Sequence, residues 1–137
     1  MLVSRRDIHI EWGDCDPAGI VFYPRYFAYF DACTAGLFAH AGIEKADMMK
    51  RYGIVGFPMV DTRARFLVPS KFGDIVTVES WIKEFRRSSF DVEHRLLKGE
   101  VLAIEAWETR VWVGRHPDNP DGIKAKPIPD EVIGLFR

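Results

Sequence analysis

Two carboxylates two residues apart, Asp14 and Asp16, sit in the stretch Gly13-Asp14-Cys15-Asp16-Pro17-Ala18-Gly19, just ahead of a long apolar segment. A carboxylate beside an acyl carbonyl can attack it directly or take a proton from water, so one acid in a shielded site is enough for acyl transfer. An Asp before Pro or Gly is also a common Asx-turn or helix-capping acceptor, and both readings stand for Asp16. Two carboxylates this close would repel if both were buried, so Asp14 is assigned a structural role. The chain has no G-x-S-x-G elbow and no Ser-His-Asp set, so donors for an oxyanion must come from elsewhere. Pro24 has no N–H, which leaves the amide of Tyr23 as the first donor at the start of the segment. The competing reading is that this amide binds only water or the loop.

Other residues could recognise a ligand. Asp31 is the one acid amid apolar neighbours, on the face of Phe27, Thr34 and Ala35. A buried charge is costly unless paired, so Asp31 lies at a rim or subunit contact, or else meets a substrate. Arg86 and Arg87, with Lys83 before them and Ser88 after, concentrate positive charge at a strand-to-strand connection. Guanidinium forks suit phosphate oxygens, although an Arg pair in a turn is commonly just solvated. His9, His40, His94 and His116 are too scattered for a metal set, and His40 near a helix end complements the dipole. Cys15 has no evident base near it and reads as a small buried thiol. Trp81, Trp107 and Trp112 read as core or interface.

The elements that must position these groups follow from periodicity. Ile8, Ile10 and Trp12 alternate with His9 and Glu11, which predicts a half-buried strand ending at Gly13. Pro24 suits a first helical position, and 24–41 is apolar almost all the way round, with Gly42 as its stop. Such a helix is a core helix with no wet face, and its positive end lies beside the carboxylate loop. A shorter helix is predicted over 44–52, with Met48 and Met49 as its apolar side. Strands are predicted over 55–68, 74–85, 88–97 and 101–113. In the first of these, Val60, Thr62, Ala64, Phe66 and Val68 share one face. Residues 116–127 read as a Pro/Gly/Asp loop and 129–136 as one or two helical turns. Strands in succession after the helices mean an antiparallel sheet in an α+β domain spanning 1–137, and the sheet must curl around the dry helix.

Composition narrows the function. The chain has 137 residues, a net charge of −1 and two cysteines. This argues against a general nucleic-acid binder and against a disulfide scaffold or zinc site. The first seven residues lack a signal-peptide core and no run is long enough to span a membrane, so a cytoplasmic protein without a membrane partner is expected.

Four segments carry a resemblance: GDCDPAGIVFYPRYFAYFDA, GIVGFPMV, PSKFGDIVTVES and IKEFRRSSF. Together they resemble the hotdog-fold acyl-CoA thioesterases, in particular the 4-hydroxybenzoyl-CoA branch with a catalytic Asp, over about residues 8–113. The resemblance implies a curled antiparallel sheet wrapped around one long central helix, in agreement with the pattern above. It implies hydrolysis of an acyl-CoA, such as 4-hydroxybenzoyl-CoA, without metal or other cofactor. It also carries the nucleophile or general-base role onto Asp16 and carbonyl polarisation onto the Tyr23 amide. Asp31 is placed at the far end of the acyl pocket, Phe57, Pro58 and Met59 (with Gly56) along the acyl and pantetheine path, and Arg86, Arg87 and Ser88 at the coenzyme A phosphates. Family members dimerise through their sheets and often form tetramers, so a homodimer as minimal unit, within a homotetramer, is expected. Tyr23 stands where the Tol-Pal-associated branch usually has His, which favours an aryl-CoA over a short aliphatic substrate. The competing functions are a short-chain aliphatic thioesterase, a non-catalytic acyl-CoA-binding module, and a Mg²⁺-dependent phosphatase suggested by Asp-Cys-Asp. The last needs repeated βα units, which the succession of strands opposes.

Overall fold

The computed structural model describes residues 1–137. Five strands form one antiparallel sheet: β1 (Ser4–His9), β2 (Met59–Phe66), β3 (Ile75–Phe85), β4 (Ser89–Lys98) and β5 (Val101–Val111), in the order β1-β3-β4-β5-β2. The long helix α1 (Pro24–His40) packs across it. A 3-10 turn over Lys45–Asp47 leads into the short helix α2 (Met48–Tyr52). The chain closes with a hairpin, β6 (Val113–His116) and β7 (Asn119–Ala125), and a last turn, α3 (Asp130–Gly134).

α1 starts at Pro24, where its missing N–H costs nothing. It ends in a Schellman arrangement: Gly42 is left-handed (φ 93°) and the Ile43 N–H donates to the Phe38 carbonyl at 2.9 Å. β3, β4 and β5 alternate buried and half-buried positions, as the period of two requires. Their inner residues meet Tyr26, Phe30, Cys33, Thr34, Leu37 and Phe38 of α1. Burying side chains such as Phe30, Leu37 and Phe38, each at most 1% exposed, contributes about 1.5–3 kcal/mol apiece.

The first strand is Ser4–His9, and Trp12 lies in a 3-10 turn, 76% exposed, with its ring edge-on to Phe72. Alternation continued past the strand because Ile10, just beyond it, is buried in the core with Tyr26, Phe30 and Val76. α1 does have an open side in the single chain: Ala28 and Asp31 are exposed, because five strands cover only one face of a helix. β2 is an edge strand, with Val60 63% and Phe66 48% exposed, so its predicted apolar face is only partly covered in the single chain, Ala64 and Val68 packing against the core. Met48 is buried while Met49 is exposed. The predicted 116–127 loop belongs mostly to the β6–β7 hairpin; its polar, Pro- and Gly-containing composition hid a pair that is largely solvent-facing. Trp112 is core, whereas Trp81 and Trp107 are half-buried on the outer face of the sheet. No helix is long and apolar enough to cross a membrane.

Candidate active site

The carboxylate loop is folded by its own backbone. An isolated bridge pairs Cys15 with Val21, the Asp16 N–H donates to the Ile20 carbonyl at 2.9 Å, and the Gly19 N–H donates to the Asp16 carbonyl at 2.9 Å. Gly19 takes the left-handed conformation (φ 83°) that lets the loop reverse. The Val21 N–H ties the loop to the Ser70 carbonyl at 2.9 Å, in the β2–β3 connection. Within this frame, Oδ1 of Asp16 accepts the Ala18 N–H at 2.9 Å, which is an Asx-turn. Its Oδ2 has no protein donor, and the side chain is half-buried. The turn reading and the chemical one are therefore compatible: one oxygen is fixed by the fold and the other is free.

The helix start supplies a complementary group. The Arg25 and Tyr26 N–H groups are taken by the Phe22 and Tyr23 carbonyls at 2.8 and 3.1 Å, and the Phe22 N–H by the Asp14 carbonyl at 2.8 Å. Tyr23 N–H donates to nothing in the chain and lies at the positive end of α1. Asp14 is structural, as expected. It accepts the Glu11 N–H at 3.0 Å and lies 3.9 Å from Arg25 Nε. Burial and the neighbouring Asp14 carboxylate push the Tyr29 phenol well above its ordinary range. Cys15 is half-buried, its thiol turned to the Glu11 carbonyl at 3.7 Å.

A second set converges further along α1. Asp31, Phe57, Pro58 and Met59 line one cleft of about 430 Å³ together with Lys45 and Arg110, two cations that sequence reasoning missed. The 55–57 segment is held there by Val55 N–H to Val113 carbonyl and Val113 N–H to Gly56 carbonyl bonds of 3.0 and 3.1 Å. Asp31 is 56% exposed at its side chain, and its Oδ1 accepts from Arg110 Nη2 at 2.8 Å. The Phe57 ring faces the core, stacked on Phe38 at 4.5 Å, while its carbonyl accepts from Arg110 Nη1 at 3.2 Å.

The third set is the β3–β4 turn. Arg86 is engaged within the protein: its two terminal nitrogens meet the Asp91 carboxylate at 2.9 and 2.7 Å, Nη1 also meets Glu84 at 3.2 Å, and Nε donates to Ser89 at 2.9 Å. The hydrogen bond from Arg86 holds the Asp91 carboxyl below its usual range. Arg87 is exposed and its guanidinium has no protein partner, while its carbonyl accepts the Ile128 N–H. Ser88 is half-buried and its carbonyl accepts the Trp112 N–H.

The structure thus gathers Asp31 with 57–59, while Asp16 and Tyr23 flank the start of α1 in one loop and the length of β3 lies between that loop's anchor and the 86–88 turn. The carboxylate loop is anchored at 70–74, where β3 begins, and the turn follows its end. The eleven residues of β3 span about 30 Å.

Sequence reasoning also missed a buried polar group. Ser80, His94, Glu108 and Arg110 are each at most 4% exposed on the inner face of the sheet. The signal was present: they occupy the inward parity of β3, β4 and β5, where the pattern otherwise demands apolar residues. Burial pushes the Glu108 carboxyl up, but the neighbouring His94 ring and the hydrogen bond from Arg110 outweigh it and hold it below its ordinary range.

Comparison with known proteins gives this geometry a family. Residues 10–136 match the thioesterase-like superfamily. The chain is 36% identical over 133 residues to the 4-hydroxybenzoyl-CoA thioesterase of Pseudomonas sp. (strain CBS-3), covering 92% of each protein. A crystal structure of an Asp-to-Asn mutant of 4-hydroxybenzoyl-CoA thioesterase, complexed with 4-hydroxybenzoyl-CoA, superposes with a TM-score of 0.91 at 32% identity, over 98% of this chain and 99% of that one. A gentisyl-coenzyme A thioesterase superposes with a TM-score of 0.82 at 30% identity, over 97% and 98%. With its α1 laid across an antiparallel sheet and a match along nearly its whole length, the chain belongs to the thioesterase-like superfamily and has the hotdog fold.

Proposed function

We propose that this enzyme hydrolyses an aryl-CoA thioester, such as 4-hydroxybenzoyl-CoA, to the free acid and coenzyme A. The observation that carries the mechanism is that one Asp16 oxygen and the Tyr23 amide, seven residues apart at the start of α1, are both left without a protein partner. The carboxylate has one oxygen fixed by Ala18 and one free, and the amide at the start of α1 is without an acceptor. The free oxygen attacks the thioester carbonyl or draws a proton from water, and the Tyr23 N–H takes the developing oxyanion. Collapse of the tetrahedral species expels the coenzyme A thiolate; the water route gives the free acid at once, whereas direct attack leaves an Asp16 mixed anhydride that water then hydrolyses to the acid and the free carboxylate. No metal or other cofactor takes part in this chemistry.

Binding is divided among the other sets. Asp31 accepts a hydrogen bond from a polar ring substituent, and Phe57, Pro58 and Met59 flank the acyl and pantetheine path. Arg87, whose guanidinium is free, contacts the coenzyme A phosphates, with Ser88 beside it. Arg86 sits in the same phosphate region and shapes the turn through Asp91 and Glu84. The separation of the turn from Asp16 supports a site shared between chains. The minimal active unit is a homodimer, within a homotetramer, acting in the cytoplasm. The uncovered edge strand β2 and the open side of α1 favour such assembly.

A panel of aryl- and alkyl-CoA esters tests the substrate class, and Asp16→Asn tests the mechanism. Asn can still accept the Ala18 N–H, so the loop persists, and kcat falls at least ~100-fold. Turnover near wild type in the folded mutant removes Asp16 from the reaction. Faster hydrolysis of short alkyl esters than of aryl esters rejects the aryl class.

A further inference from the structure

The core of this protein is divided by a polar seam. One apolar cluster surrounds Tyr26, Phe30, Val78 and Leu96, and another surrounds Leu37, Phe38, Phe90 and Trp112. Between them, all four facing elements present a polar residue: Thr34 from α1, Ser80 from β3, His94 from β4, and Glu108 followed by Arg110 from β5. Ser80 lies directly across from His94 in the β3–β4 register. Asp31 and Thr34 are three apart on α1 and so face the same seam.

The bonds converge on Glu108, from Ser80, His94 and Thr34 on one side and from Arg110 on the other. Ser80 Oγ meets His94 Nδ1 at 2.7 Å. The Thr34 hydroxyl donates to Glu108 Oε1 at 2.6 Å, so its oxygen is left to accept from His94 Nε2, 3.2 Å away. Glu108 Oε1 also accepts from Arg110 Nε at 2.9 Å, and its Oε2 has no donor closer than His94 Nε2 at 3.4 Å. Arg110, 4% exposed, then reaches outward with Nη1 on the Phe57 carbonyl and Nη2 on Asp31 Oδ1. Asp31 Oδ2 accepts nothing from the protein.

We propose that Arg110 is a positioning residue, fixed from behind by the Ser80–His94–Thr34–Glu108 network, that sets the orientation of Asp31. Through Asp31 it sets selectivity for acyl groups bearing a hydrogen-bond-donating ring substituent. This rests on the aryl-CoA reading above. The physical case has two parts. An exposed carboxylate on a surface ion pair is mobile and weakly held. Here its partner is a buried planar fork whose Nε and Nη1 are held by Glu108 and the Phe57 carbonyl, so one Asp31 oxygen is pinned and the other is presented to the cleft. Second, a buried ion pair is poor value as a stabiliser, since apolar residues of similar volume do as well or better. A five-residue polar seam ending at one cleft carboxylate is explained by what it does to that carboxylate.

The test compares kcat/KM for 4-hydroxybenzoyl-CoA and benzoyl-CoA, which differ by the hydroxyl alone. Asp31→Asn, Arg110→Lys and the double variant form a cycle, with Thr34→Val and Glu108→Gln as milder lesions deeper in the seam. Lys offers a compact ammonium in place of the fork and cannot hold Asp31, Glu108 and the Phe57 carbonyl together. Arg110→Lys is expected to lower the hydroxy-over-unsubstituted ratio about tenfold or more, with the double variant no lower than Asp31→Asn alone. Thr34→Val and Glu108→Gln lower the ratio in the same direction. An equal loss on both esters, an additive cycle, or unfolding of every seam variant overturns the proposal and makes the network purely structural. A wild-type ratio near one overturns it as well. Failure of the aryl-CoA reading looks different: the wild type then turns over neither aromatic ester while hydrolysing others.

Discussion

The separation between Asp16 and the 86–88 turn can be tested without a structure of the assembly. β3 carries the chain about 30 Å from the anchor of the carboxylate loop to the turn. The pantetheine arm of coenzyme A is comparable to four extended residues, about 14 Å. If one coenzyme A engages both Asp16 and Arg87, the two are therefore expected to come from different chains. The perturbation is a pair of complementary lesions. Asp16→Asn removes the chemistry, and Arg87→Ala removes the free guanidinium while leaving the Arg86–Asp91 clamp in place. Each variant alone is impaired when assayed at substrate far below KM. Co-expressed in equal amounts and assembled at random, the two give sites in which Asp16 and Arg87 are both wild type with a frequency of about one quarter, as for any shared symmetric site. Activity recovers to about that fraction of wild type. Mixing the separately purified oligomers without exchange gives no such gain. Light scattering during size-exclusion chromatography establishes the assembly in the same samples. If each site lies within one chain, no site regains both residues and co-expression gives only the average of the two variants. That result, or a fully active monomer near the 15.7 kDa chain mass, refutes the reasoning.

Arg87→Ala is expected to raise KM for acyl-CoA with little change in kcat, and to spare an acyl-pantetheine thioester, because uniform binding remote from the reacting carbon is lost. Equal loss on both substrates assigns Arg87 to the fold instead. Stability should fall in acid. Glu108 is held low against its burial by His94 and Arg110, Asp91 by the Arg86 hydrogen bond, and Asp74 by the Lys71 amide. A carboxyl with a depressed folded-state pKa stabilises above its unfolded value and loses that contribution as pH drops through the folded one. Tm is therefore expected to fall progressively as pH drops below about 4.5, and less steeply in Glu108→Gln. A flat or rising Tm over that range contradicts the assignment.

Local pattern was enough for much of this protein. Pro24 and Gly42 bracket α1 because helix ends are set by residues that cannot donate or must turn left-handed, and both properties are intrinsic to the residue. The period of two disclosed β3, β4 and β5 for the same reason, since alternation survives whatever the partner strand is. The Asp-Cys-Asp-Pro loop and the Arg pair stood out by residue type alone. What needed the tertiary structure was everything that depends on a neighbour remote in sequence. Arg86 and Arg87 read alike in sequence, and only the Asp91 fork separates an engaged guanidinium from a free one. Val60 and Ala28 are apolar at positions where the pattern calls for cover, and only strand order shows that one chain leaves them open. The same holds for the seam. Thr34, Ser80, His94, Glu108 and Arg110 are scattered over 77 positions of the sequence, and what joins them is the register of three strands beneath one helix. Hydrogen bonding between such residues is fixed by packing geometry, to which their spacing along the chain gives no access.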